Sequence, residues 1–264
     1  MNLSLYLDRN TWVHRLDPRT KMVGASILFM SCLCFNHPLY MGWISLGILA
    51  VAIFSKTLPN FWRFRFILTL LILFSTVMWP FFAKGLTPLW AWGPLRVSRE
   101  SLLYGIAMGL RLPTFVGIGL IFLSTTRNEE LTNGLIFMGV PYPVAFALST
   151  ALRLVPTFVG AGATIIQAQM SRGLDLESGS LLSRIWKFIP QAVPLFIYAI
   201  RHTNLLAMAL ESKGFDPGSE RSFYYEPKME KRDYLALSFL LIFFGTALYL
   251  RLVLKFGTVI FGRL

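Results

Sequence analysis

Long apolar stretches, separated by short polar punctuation, set the pattern of this chain. Residues 22–55 carry no charged side chain over 34 positions and are interrupted once, by Asn36-His37-Pro38. That break predicts a tight turn between two short spans, 22–35 and 39–55. Each lies near or below the ~17 residues that a bilayer crossing needs, so flanking residues must complete it. A basic loop at 56–65 leads to a third apolar run, 66–83. The loop at 85–99 follows, with Trp90 and Trp92 suited to a membrane interface. Residues 102–125 form a fourth span with Arg111 and Pro113 in its interior, and 234–250 a last one.

Between these spans the pattern changes. Residues 131–152 are free of charge, yet Pro141 and Pro143 break the run and Gly134 and Gly139 weaken it as a single helix. The helices beyond carry scattered polar groups: Arg153, Gln167 and Gln169 first, then Arg184, Lys187, Gln191, Arg201, His202 and Asn204. They are too polar to cross lipid comfortably and too apolar to stand alone in water. This predicts two long helices lying at the membrane face, kinked at Pro156, Pro190 and Pro194. The expected fold is an all-α polytopic membrane protein with about five transmembrane helices plus this cytoplasmic-face segment. Its divisions are 1–125 for spans one to four, 126–233 for the long-helix segment, and 234–264 for the last span and tail.

Composition agrees. Of 264 residues, 55% are hydrophobic and 14% charged, against roughly 25% charged in soluble domains. The net charge of +12 therefore points to cytoplasmic loops and lipid headgroups and not to nucleic acid. Arg9, Arg15, Arg19 and Lys21 precede span one, and Lys56, Arg63 and Arg65 follow span two, seven cations on one side. The 36–38 turn has none, and the 84–100 loop has Lys84, Arg96 and Arg99. This asymmetry places the N-terminus and the 56–65 loop in the cytoplasm, with the chain multi-pass in the plasma membrane. Charges of both signs at 8–21, ahead of the apolar run, do not fit a signal peptide. Cys32 and Cys34, two apart on a helix and so about 200° apart around it, are packing residues.

One pentapeptide occurs twice. Ser171-Arg172-Gly173-Leu174-Asp175 returns 41 residues later as Ser212-Lys213-Gly214-Phe215-Asp216, preceded there by Glu211. A cation in the last turn followed by glycine is ordinary chemistry for stopping a helix. Five matching positions, at the ends of two long helices of one segment, exceed what capping requires. They predict a docking pair: a guanidinium on a helix tip makes bidentate contact with a carboxylate in a recipient groove, and two prongs imply a dimeric partner.

At these residues the chain resembles the transmembrane T component of energy-coupling factor transporters, the family that includes the cobalt-uptake protein CbiQ. Leu16-Asp17-Pro18-Arg19-Thr20-Lys21 is similar to its N-terminal signature, and the paired tripeptides to its two X-Arg-X motifs, one at the end of each coupling helix. Ala209-Leu210-Glu211-Ser212-Lys213-Gly214-Phe215 is similar to the run around its second motif. The resemblance implies a non-catalytic energy-coupling subunit of an ABC-type importer for a vitamin or transition-metal ion. It implies two ABC-type ATPase partners, identical or different, and one separate substrate-binding membrane subunit. No cofactor is bound directly; ATP and Mg belong to the ATPases. By position Arg172 fills the first motif and Lys213 the second, where the family has arginine. Lysine keeps the charge and loses the planar fork.

Other residues have plainer readings. Arg111 is read as locally paired near a kink, with an intramembrane role as the alternative. Arg19 and Lys21 are expected to anchor at headgroups, and Glu129-Glu130 to open a helix after Thr126. Met138, Met170 and Met208 are expected in packing. His14, His37 and His202 lie too far apart for a metal site. The rival class is a self-contained secondary transporter, which needs a polar midplane site; a membrane-embedded enzyme would need a carboxylate, His or Ser constellation at one depth.

Overall fold

A computed structural model describes residues 5–82, 88–92, 95–175, 180–216, 218 and 229–254. Lys84, the side chains of Trp90, Trp92, Arg96 and Arg184, and the 255–264 tail lie outside the described residues. Helix dominates. The elements are α1 (Pro18–Cys34), α2 (Pro38–Phe54), α3 (Leu58–Arg63), α4 (Arg65–Phe82), α5 (Arg99–Thr125), α6 (Asn128–Phe137), α7 (Tyr142–Ser171), α8 (Leu181–Ser212) and α9 (Lys231–Leu252). The loop between α4 and α5 adds a small antiparallel hairpin, β1 (Pro88–Trp92) with β2 (Leu95–Ser98). Two compact units result: residues 1–134 with 226–264, and residues 135–225.

The protein is an all-α polytopic membrane protein with five helices long and apolar enough to cross a bilayer: α4, α5, α7, residues 186–212 of α8, and α9. This set differs from the one read off the sequence. α7 and α8 enter it because their polar residues are spread over 30 and 32 positions, which leaves long apolar windows intact. α1 and α2 fall out because each stops at 17 residues, roughly 25 Å of helix against ~30 Å of hydrocarbon.

In the first unit, α5 is the central post. α4 packs antiparallel to it so tightly that a Cβ on Gly109 would lie 2.0 Å from Thr76 Oγ1 and one on Gly105 2.7 Å from Pro80. α2 runs parallel to α5, with the Ser45 and Thr114 hydroxyls 2.7 Å apart. α9 lies beside α1 in the same direction. Cys32, Met41, Ile44, Ile48, Ile118 and Ala247 form the buried centre.

The turn between α1 and α2 is buried, with Phe35 and Asn36 only 4% and 1% exposed. Arg111, midway along α5, donates from Nη2 to the Phe35 carbonyl and to Asn36 Oδ1, the latter at 2.6 Å. Arg251 of α9 donates from Nη1 to the carbonyls of Leu33, at 2.8 Å, and of Cys34. A helix end leaves its last carbonyls unpaired and carries partial negative charge, and α1 has no basic residue of its own in its last turn. Two arginines from other helices satisfy it. Flanking residues extend the first short span back only to Pro18 and the second only to Pro38, and neither helix exceeds 17 residues. The chain turns early, about twelve residues short of the N-terminal end of α5, and irregular backbone at that depth survives because it is enclosed in protein. The local pairing expected of Arg111 is this contact.

Candidate functional site

The second unit presents α7 and α8 as an antiparallel pair. Gln169 Nε2 donates to the Pro190 carbonyl at 3.3 Å, the Phe158 ring meets Tyr198 and His202 at 6.2 and 6.1 Å, and Phe146 meets Phe215 at 4.6 Å. The two basic ends therefore lie at opposite ends of the pair. About 25 residues of helix separate them, roughly 40 Å along the axis.

Both ends have one geometry. Gly173 takes φ +91° and Gly214 φ +72°, in the left-handed region that glycine enters without a Cβ clash. Gly173 N donates to Met170 O at 2.9 Å and Leu174 N to Gln169 O at 3.1 Å; Gly214 N donates to Glu211 O at 2.9 Å and Phe215 N to Leu210 O at 3.0 Å. Each is a complete Schellman cap. Ser171 Oγ returns to Gln167 O at 3.0 Å and Ser212 Oγ to Ala209 O at 2.9 Å.

A third helix end separates capping from what else the motif does. α6 closes identically, with Gly139 at φ +99°, Gly139 N to Ile136 O at 3.0 Å and Val140 N to Leu135 O at 3.1 Å. The residue before that glycine is Met138, not a cation. The cap accounts for Gly173 and Gly214 and for the apolar Leu174 and Phe215, but it does not require Arg172 or Lys213. Both cations are exposed, and among the described residues neither side chain is in an ion pair. Glu211, Asp175 and Asp216 are exposed beside them, and Asp216 Oδ1 accepts from Gly218 N at 3.0 Å. The two ends thus present exposed cations on matching caps, in no ion pair among the described residues.

The N-terminal motif does different work, inside the first unit. Asp17 caps α1 by accepting from Arg19 N at 2.8 Å, and Pro18 occupies the first helical position, where its fixed φ and missing N–H cost nothing. Asp17 N donates to Asp233 Oδ1 at 2.7 Å, while Asp233 Oδ2 accepts from Glu230 N at 2.9 Å, so one buried carboxylate ties the starts of α1 and α9 together. Lys21 is not at the headgroups, as expected, but buried, its side chain 3% exposed. Its ammonium donates to His14 O at 2.9 Å, to Thr125 O at 2.8 Å and to Glu130 Oε2 at 3.2 Å. A buried ammonium must fill its donors, and these acceptors fill them. Glu130 sits in the first turn of α6 as expected and is also the counter-ion. Neither role, of Asp233 or of Glu130, is marked in the sequence beyond their place as first-turn acids of their helices.

His14 sits on the same knot, with Nε2 3.0 Å from Leu7 O and Nδ1 2.6 Å from Thr11 Oγ1. A neutral ring that donates from Nε2 and accepts at Nδ1 fits both. Burial is the main cause that pushes its pKa below 6.5; the Leu7 carbonyl opposes this, Lys21 adds to it, and Glu130 opposes it. The unfolded chain therefore takes up the proton first as pH falls, so stability is full above about pH 6.5 and declines below it. The melting temperature of the purified protein should fall between pH 7.5 and 5.5, and His14→Gln should remove part of that slope.

Taken together, these features define a polytopic membrane subunit with a helical knot at one end of its first unit and two exposed cationic tips on its second. The model of the family described as cobalt transport protein, CbiQ, matches residues 9–225. Relatives named energy-coupling factor transporter transmembrane protein EcfT match almost end to end. That of Acidaminococcus fermentans is 31% identical over 260 residues, covering 95% of this chain and 97% of its own. That of Staphylococcus aureus is 32% identical over 248 residues, covering 89% and 91%. That of Lacticaseibacillus paracasei is 30% identical over 267 residues, covering 94% and 98%. The chain belongs to the CbiQ family of T components of energy-coupling factor transporters.

Proposed function

We propose that this chain is the energy-coupling scaffold of an ATP-driven importer whose ATP hydrolysis occurs in other subunits. Arg172 and Lys213 dock two ABC-type ATPase subunits, one at each tip, and α7 and α8 carry the motion of those subunits to a separate substrate-binding membrane subunit. ATP and Mg bind to the ATPases and not to this chain. The substrate is of the vitamin or transition-metal class and is held by the partner. The N-terminus and the basic ends of the first unit face the cytoplasm. The carrying observation is the pair of exposed cations on equal Schellman caps, beside a third equal cap that has none. Broadly exposed apolar side chains along α8, among them Trp186, Phe196 and Leu205, give the partner subunit and lipid a surface to cover.

The rival reading, a self-contained secondary transporter, needs a free polar midplane site, and Arg111 does not provide one, because it is committed to the end of α1. The purified chain alone in proteoliposomes should move no solute under a proton, sodium or potassium gradient, and should gain ATP-dependent uptake only with ATPase and substrate-binding subunits added. Gradient-driven uptake by the chain alone would make it a transporter in its own right.

A further inference from the structure

The first unit holds an apolar cavity of about 340 Å³ between α1, α2, α5 and α9, covered at the N-terminal end of α1 by the turn that carries Trp12 and Leu16. Its wall follows α1 from Thr20 to Leu28, roughly 12 Å of helix, close to the ~15 Å hydrocarbon depth of one leaflet. Leu235 and Phe239 of α9 belong to the wall and are 70% and 69% exposed, so the cavity opens sideways to the membrane.

Four side chains with polar groups line it: Lys21, Thr125, Thr20 and, at the rim, Trp12. Two are occupied. The Lys21 ammonium has its three acceptors, and Thr125 Oγ1 donates to Ile121 O at 2.8 Å. Thr20 is 2% exposed, and its hydroxyl makes no hydrogen bond. A buried hydroxyl without a partner is unfavourable, and this one lines an otherwise apolar cavity at its shallow end. The covering turn also carries Arg15, which with Arg9 is exposed and, among the described residues, in no ion pair. Trp12, 55% exposed at the rim, matches an interfacial position.

We propose that a phospholipid of the leaflet on this side seats one acyl chain in the cavity, with an ester carbonyl accepting from the Thr20 hydroxyl and an anionic phosphate against Arg15. The three parts of the lipid match three features in the right order of depth: apolar cleft, orphan donor, free cations. A water-soluble ligand would find almost nothing polar to bind. In the orientation proposed above this is the cytoplasmic leaflet, whose anionic lipids attract basic segments.

Native mass spectrometry of the full-length chain, released from detergent in the presence of dioleoylphosphatidylglycerol, dioleoylphosphatidylcholine or a dialkyl-ether phosphatidylglycerol, tests this. The wild type should retain the ester phosphatidylglycerol at least tenfold over phosphatidylcholine and measurably over the ether lipid. Ala236→Phe, which fills the cavity, should lose the adduct; Thr20→Val should lose the preference for ester over ether. Arg15→Gln, an exposed change that leaves the fold alone, should lose the preference for the anionic headgroup. Equal retention of all three lipids by the wild type, an unchanged preference in Arg15→Gln, or a full adduct on folded Ala236→Phe would overturn the proposal.

Discussion

Arg172→Glu is expected to abolish ATP-driven uptake and to detach one ATPase subunit from the complex while the membrane subunit still folds. A charge-assisted pair at a partly buried interface contributes about 1.5–3 kcal/mol, and reversal adds repulsion from the same carboxylate. A loss of about 3 kcal/mol weakens association roughly 100-fold. Effects on the helix end itself are smaller. A glutamate near a helix C-terminus costs about 0.3–1 kcal/mol through the dipole. Arg172→Met removes even that objection, because α6 closes the same cap with Met138 before its glycine. Arg172→Met should therefore keep the wild-type melting temperature and still lose most uptake. The two tips should not be equal: Lys213 offers one point charge where Arg172 offers a planar fork. Lys213→Met should cost less than Arg172→Met, and Lys213→Arg should tighten the complex. Pull-down of the ATPases with each variant, beside uptake in whole cells, reads both outcomes.

Arg111→Met should be the most damaging single change to the fold. Its guanidinium is buried, and on its removal the Phe35 carbonyl and Asn36 Oδ1 lose their donor. Taking a charged donor away from a buried acceptor costs about 1–3 kcal/mol, so a loss of about 3 kcal/mol is expected for the two. Methionine recovers part of the packing, because Met108 already borders the site, its sulfur 3.2 Å from Nη1. Arg111→Lys should be intermediate, since a single ammonium reaches one acceptor more easily than two. Arg251, on the more exposed side of the same helix end, should cost less when replaced by methionine. Thermal unfolding in detergent, read by tryptophan fluorescence, orders the three. If Arg111→Met melts like the wild type but transports nothing, then Arg111 belongs to the transport path and not to the end of α1.

Much of this was legible in the sequence, and the failures share one cause. Long apolar runs mark α4, α5 and α9 because a membrane span is a local property of twenty-odd residues. Gly173 and Gly214 mark helix ends because only the backbone at the glycine decides the left-handed turn. Lys21 was misplaced because its burial depends on Thr125 and Glu130, more than a hundred positions away. Asp233 and Arg251 were passed over for the same reason: their partners are Asp17, Leu33 and Cys34, at the far end of the chain. The early α1–α2 turn could be seen as a break but not as a buried one, since its depth is set by Arg111 on another helix. The long helices of the second unit read as lying at the membrane face because their polar residues are scattered, but that same scatter leaves apolar windows long enough to cross.

In the proposed function the two cationic tips hold the ATPase subunits. Affinity purification of this chain from its native membrane, beside the Arg172→Glu/Lys213→Glu double variant, tests it most directly. The wild type should bring down ABC-type ATPases together with a small hydrophobic membrane subunit, and the double variant, equally abundant and equally stable, should lose the ATPases. A double variant that keeps its ATPases in full amount would contradict it and would reduce both motifs to helix caps.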